Sequence, residues 1–228
     1  RENLAKGALV KLMFRIVMHL ALSGHWTILA ALYLCVRRTA PGRWMWPLLL
    51  TVTAGIHAYL LAMVLGLWVA ALVERRWSGR MRWNGVFIEL AASLAGVLAV
   101  LWAAGFFVTG TTSTYGYGMY KLNVLWPILT YRDWSRLVPD WPHTKYDYEG
   151  ISFLGIGIFA LLALAVLTGA IAQLRAWATR RWLPLAVALL LMMVFAFSND
   201  IYAGALPLVK FELPGGLEAI AATFRSTG

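Results

Sequence analysis

Apolar residues fill this chain in long runs, and the polar residues gather in the gaps between them. From Ala8 to Val36 nearly every position is apolar, except that Lys11, Arg15 and His19 recur every four residues and so share one helical face. That half has the pattern of an interfacial helix. Ser23-Gly24-His25 then interrupts it before WTILAALYLCV. About 29 residues rising 1.5 Å each reach about 43 Å, enough for one tilted crossing of a ~30 Å apolar core, and a break near Gly24 is the alternative.

The second run, Trp44 to Val73, carries TAGIHAY at its centre. Crossing as one span, it puts Arg37, Arg38 and Arg43 on the opposite side from Arg75, Arg76, Arg80 and Arg82, against the cytoplasmic preference of arginine. A broken pair turning at Ile56 to Tyr59 removes the conflict. Each half is then about 15 residues, a length suited to helices buried against protein or lining a cavity. Gly85 to Val108 predicts a further span, and Ile151 to Leu174 and Trp182 to Phe197 predict two more. Ten arginines in three clusters, opposed by Glu74 alone, mark the cytoplasmic side. The polar loop 109–150, with four acids balancing four bases, faces outward, as does the segment from Ser198 with Asp200, Glu212 and Glu218. Within it, Pro127, Pro139 and Pro142 interrupt long helices among Tyr and Trp residues suited to a membrane surface. The expected fold is all-α: a polytopic transmembrane helical bundle with an extracytoplasmic loop containing short interfacial helices. No internal repeat is visible, so residues 1–228 form one membrane domain. Opening on RENLAKG and stopping on FRSTG, the chain reads as an excerpt of a longer one.

Composition removes other classes. With 61% hydrophobic and 13% charged residues and a mean hydropathy of +0.70, the chain lies far from a soluble domain and expects the lipid bilayer as its partner. The net charge of +10 sits in clusters beside the apolar runs and not on one amphipathic face, so no nucleic-acid partner is implied. Cys35 is alone, which excludes an intrachain disulfide.

Motifs of soluble enzymes are absent: no G-x-x-x-x-G-K-[ST], G-x-S-x-G, H-E-x-x-H or C-x-x-C occurs. The chemistry-bearing residues are therefore few. Glu149, in YEGISFLGIG beside Tyr148 and Asp147, can act as a general base, bind a divalent metal or hold a sugar hydroxyl; its structural alternative is an acid at a helix N-terminus. His57, inside an apolar run with Tyr59 nearby, can meet an anionic headgroup or, as a neutral imidazole, bond the backbone at a kink. Asp200, in Ser198-Asn199-Asp200, places a carboxylate at the end of a run or caps a helix. Arg225 can clamp a phosphate or simply lie at the interface. Glu89 lies within a turn or two of Arg80 and Arg82 and suits an ion pair. His19 and His25, six apart, do not share a face and form no metal pair.

YGYGMYKLNVLWPI, YEGISFLGIG, SND and FRSTG, with HLALSGHWTILAALYL and GIHAY, resemble a family of uncharacterised bacterial multi-spanning proteins similar to the GT-C superfamily of glycosyltransferases. HWTILAALYLCVRR and the pair after it are also similar to the middle spans of lipid A aminoarabinose transferases. The resemblance implies transfer of a sugar from a polyprenyl-phosphate-linked donor to an envelope acceptor on the outer side of the bacterial inner membrane. The substrate-binding candidates are His57, Tyr59, Tyr117, Asn123, Tyr148, Asp200 and Arg225. The superfamily's catalytic acid belongs to a first external loop that would precede Arg1, so the resemblance assigns that role to no residue here. The alternative class is a non-catalytic membrane subunit for envelope polysaccharide assembly or lipid-linked sugar translocation.

Overall fold

The computed structural model of the chain describes residues 24–37, 39, 41–107, 117, 121–131, 135–143, 152–170 and 181–223. Seven helices and one two-stranded sheet make up the regular structure of these residues. They divide between two compact units, Arg1–Thr111 and Thr112–Gly228.

In the first unit, Gly24 and His25 form a turn, and α1 runs from Trp26 to Val36. Thr27 donates through Oγ1 to the Gly24 carbonyl at 2.8 Å, satisfying an acceptor at the helix start. After Pro41 and Gly42 comes α2, Met45–Ala54. The expected break follows at Gly55 and Ile56, and His57 explains it: its backbone is extended, and its Nδ1 accepts the Tyr59 N–H at 3.2 Å as the cap of α3, Ala58–Trp77. The ERRW sequence prolongs α3 past Val73, so the second half is 20 residues long and not the ~15 expected from an equal division. Ser78 and Gly79, the latter at φ +71°, turn the chain into α4, Trp83–Ala103.

Packing follows side-chain size. Trp46, Leu50, Leu60, Val64, Leu67 and Ala31 of α1, α2 and α3 are buried where the helices of this unit pack on one another. Cys35 lies 3.5 Å from the Leu67 carbonyl and ties the end of α1 to the middle of α3. Between α2 and α4 the approach is closer, because Gly96 leaves room for Thr51: a Cβ at Gly96 would stand 2.1 Å from the Thr51 hydroxyl. Among the described residues, α3 and α4 are long and apolar enough to cross a membrane; α1 and α2 are apolar but shorter.

The second unit contains the described part of the polar loop, then α5, Ile156–Leu167, α6, Leu183–Phe197, a hairpin, and α7, Gly215–Thr223. Both α5 and α6 are apolar and largely exposed. The hairpin corrects the all-α expectation: β1, Asp200–Ala203, pairs antiparallel with β2, Leu206–Lys210. Its turn rests on Gly204 at φ +62°, a conformation costly for any residue with a Cβ. Pro207 lacks a donor yet sits in β2, which is tolerable because each strand of a two-stranded sheet has an open edge. In the described part of loop 109–150, single turns stand where short helices were expected, the longest being Val124–Ile128. Pro127, Pro139 and Pro142 prevent their extension.

Candidate functional site

The polar loop and the hairpin of the second unit assemble one cluster. Leu122 and Val124 donate backbone N–H groups to the carbonyls of Ala196 and Tyr202, at 2.7 and 2.8 Å, which lays the loop alongside the end of α6 and β1. Between these two bonds sits Asn123, fully buried. Its Nδ2 donates to the Gly204 carbonyl and its Oδ1 accepts the Gly204 N–H, both at 2.8 Å, and Oδ1 also accepts the Leu125 N–H at 3.1 Å. An amide paired this way ties the loop to the left-handed turn of the hairpin at Gly204.

On the same segment, Lys121 is buried and reaches Asp200 at the start of β1, with Nζ 2.6 Å from Oδ2. The ammonium also lies 3.7 Å from the centroid of the Tyr202 ring. A lysine enclosed by a carboxylate and an aromatic face loses hydration and recovers it through ion pairing and cation–π attraction. Asp200 keeps Oδ1 free of any hydrogen bond among the described residues, while its side chain stays 19% exposed. Tyr117 packs its ring against Phe195 of α6, centroids 5.7 Å apart. Of the residues expected from sequence, Tyr117, Asn123 and Asp200 thus gather in one unit. Lys121 and Tyr202 were not anticipated. A lone lysine inside YGYGMYKLNVLWPI was the available signal for the first, while nothing local marked the second.

His57 and Tyr59 belong to the first unit, with His57 as the α3 cap and the two rings edge to face at 6.4 Å. Glu149, Tyr148 and Arg225 lie outside the described residues, as does His19. Glu89 is ion-paired, as its position suggested, but with Arg75. The two guanidinium ends approach its two oxygens at 2.6 and 2.9 Å, and Trp68 Nε1 donates to the same carboxylate at 2.8 Å. Arg75 reaches inward because its Nε–H bonds the Ala71 carbonyl of its own helix at 3.2 Å. Arg80 bonds Glu74 instead. Among the described residues, no three His, Cys, Asp or Glu are gathered to hold a metal ion.

The Lys121–Asp200–Tyr202 cluster offers a cation, an acceptor oxygen and a ring face, the groups that bind a phosphate, a hydroxyl and a pyranose. The sequence matches, over residues 7–228, the family described as a domain of unknown function (DUF6311). No curated protein and no solved structure matches it.

Proposed function

We propose, given that the chain belongs to the DUF6311 family, that it is a multi-pass protein of the bacterial inner membrane. On its outer face it transfers a sugar from a polyprenyl-phosphate donor to an envelope acceptor, in the manner of GT-C glycosyltransferases. The observation that carries this reading is the Lys121–Asp200 pair seated on Tyr202 next to the apolar helix α6. A donor phosphate competes with Asp200 for the Lys121 ammonium. Once displaced, the carboxylate takes the acceptor's hydroxyl proton. The acceptor oxygen then forms its bond to the anomeric carbon while the bond from that carbon to the phosphate oxygen breaks, and the phosphate leaves with the electron pair, stabilised by Lys121. Tyr117 and Tyr202 supply ring faces for the sugar, and exposed apolar helices suit the prenyl chain.

Among the described residues, two apolar helices of spanning length and four shorter ones support the membrane assignment. The polytopic bundle, the arginine clusters on the cytoplasmic side and the outward loop 109–150 belong to the same reading. To test it, full-length protein is incubated with radiolabelled polyprenyl-phosphate sugars and an acceptor panel. Asp200→Asn is expected to lower transfer about 10²-fold, roughly 2.7 kcal/mol, at matched expression. No donor binding and no transfer by the parent protein removes the reading; native transfer by Asp200→Asn removes the residue assignment. Asn123 and Asp200 are both hydrogen-bonded within the chain, which favours a second reading as a non-catalytic subunit for polysaccharide assembly or lipid-linked sugar translocation. Donor binding without turnover selects it.

A further inference from the structure

All eight charged residues described in the first unit stand toward one end of its helices: six arginines and two glutamates. The helix hairpin α2–α3 fixes this, because the start of α2 and the end of α3 point the same way, and α4 begins where α3 ends. Both glutamates are occupied, Glu74 by Arg80 and Glu89 by Arg75. Arg76 and Arg82 meet no carboxylate among the described residues. Arg76 is placed unusually: its guanidinium stacks on Trp83 at 4.6 Å, and its Nε–H is buried with no acceptor. A buried charged donor left without a partner is costly, and an anion seated beside it offsets that cost.

Below Trp83 the same face of α4 continues as Phe87, Leu90, Leu94 and Leu98, spaced four, three, four and four residues apart. All five are exposed, and the Trp83 and Phe87 rings lie 6.2 Å apart. The stripe rises about 22 Å, more than the ~15 Å apolar depth of one leaflet. Its upper end holds Arg76, Arg82 at the cap position, and the first turn of α4, which has neither a capping side chain nor an acid.

We infer that this surface is a binding site for an anionic phospholipid, with its phosphate at Arg76 and Arg82 and one acyl chain along Trp83, Phe87, Leu90, Leu94 and Leu98. Charge complementarity selects an anionic headgroup over a zwitterionic one, since each arginine near such a headgroup favours it about fivefold. This site is independent of sugar transfer, which neither supports nor weakens it.

The test uses delipidated full-length protein in neutral detergent, titrated with phosphatidylglycerol or phosphatidylcholine carrying brominated chains, and reads tryptophan quenching. The difference between the parent and Trp83→Phe isolates the Trp83 signal. Phosphatidylglycerol is expected to quench Trp83 at least fivefold more tightly than phosphatidylcholine. Arg76→Gln and Arg82→Gln should each reduce that preference about fivefold, with a smaller loss for phosphatidylcholine, whose phosphate is offset by its own cation. Equal affinity for the two lipids overturns the inference, as does full preference in both variants. If Arg76→Gln does not purify folded, Arg82→Gln reads the same site, and an unaltered preference there is decisive against it.

Discussion

Replacing Glu89 by Leu strands a buried cation. In the intact chain the Arg75 side chain is 11% exposed and that of Glu89 4%, and the carboxylate accepts two arginine bonds and one from Trp68. Removing the carboxylate leaves the guanidinium, among the described residues, with only the Ala71 carbonyl, and breaking a buried pair from one side costs about 3–5 kcal/mol. Arg75→Met alone leaves a buried carboxylate with the Trp68 bond only, a similar loss. The double variant Arg75→Met/Glu89→Leu removes both charges, so its remaining deficit is chiefly the orphaned Trp68 N–H, about 1–3 kcal/mol. The double variant should therefore be more stable than either single one. The assay is thermal unfolding of all four proteins in identical nanodiscs, with shifts for the single variants on the order of 10 °C. A double variant that loses the sum of the two single losses shows that the residues do not interact, and refutes the reasoning.

Three further outcomes are expected. Gly96→Ala sets a methyl against Thr51 and should cost about 1–3 kcal/mol, recovered in part by Thr51→Ala; equal melting of all three variants and the parent contradicts the close α2–α4 approach. Gly204→Ala forces a side chain to φ +62°, 3.0 Å from the Pro142 carbonyl, and should destabilise the second unit by about 1–2 kcal/mol, seen as faster proteolysis within residues 198–211; an unchanged cleavage rate speaks against it. On a Cys35→Ser background, an impermeant thiol reagent added to intact cells should label cysteine at position 140 and spare positions 43 and 82. Strong labelling at 82 reverses the proposed orientation.

Legibility in the sequence followed the range of the interactions. The break between α2 and α3 could be read because the arginines flanking Trp44–Val73 must satisfy one preference together, and His57, the residue that ends the break, lies inside it. Glu89 was readable as half of an ion pair, but its partner was not. Arg80 and Arg82 are nearer in sequence, whereas Arg75 reaches Glu89 only by folding its side chain back along α3 to the Ala71 carbonyl. The hairpin was missed because Ser198-Asn199-Asp200 has the composition of a helix stop and Pro207 argues against a strand. Tyr117, Asn123 and Asp200 were singled out separately, and no periodicity links the first two to the third. Their meeting depends on Lys121 and Gly204, whose partners lie 79 and 81 residues away.

Those separations also impose an order of assembly. During synthesis Asn123 emerges long before Gly204, and Lys121 long before Asp200. The loop can adopt its local turns at once, but its main attachments arrive only after α5 and α6 have been made. Closing so long a segment costs more entropy than closing the shorter separations of the first unit, such as the 32 residues between Cys35 and Leu67 and the 21 between Trp68 and Glu89. The first unit can therefore settle while the second is still incomplete, and the Lys121–Asp200 cluster forms after it. A nascent chain arrested just before Asp200 should hold a protease-resistant first unit beside a cleavable segment 121–143, and extension past Lys210 should protect that segment in one step.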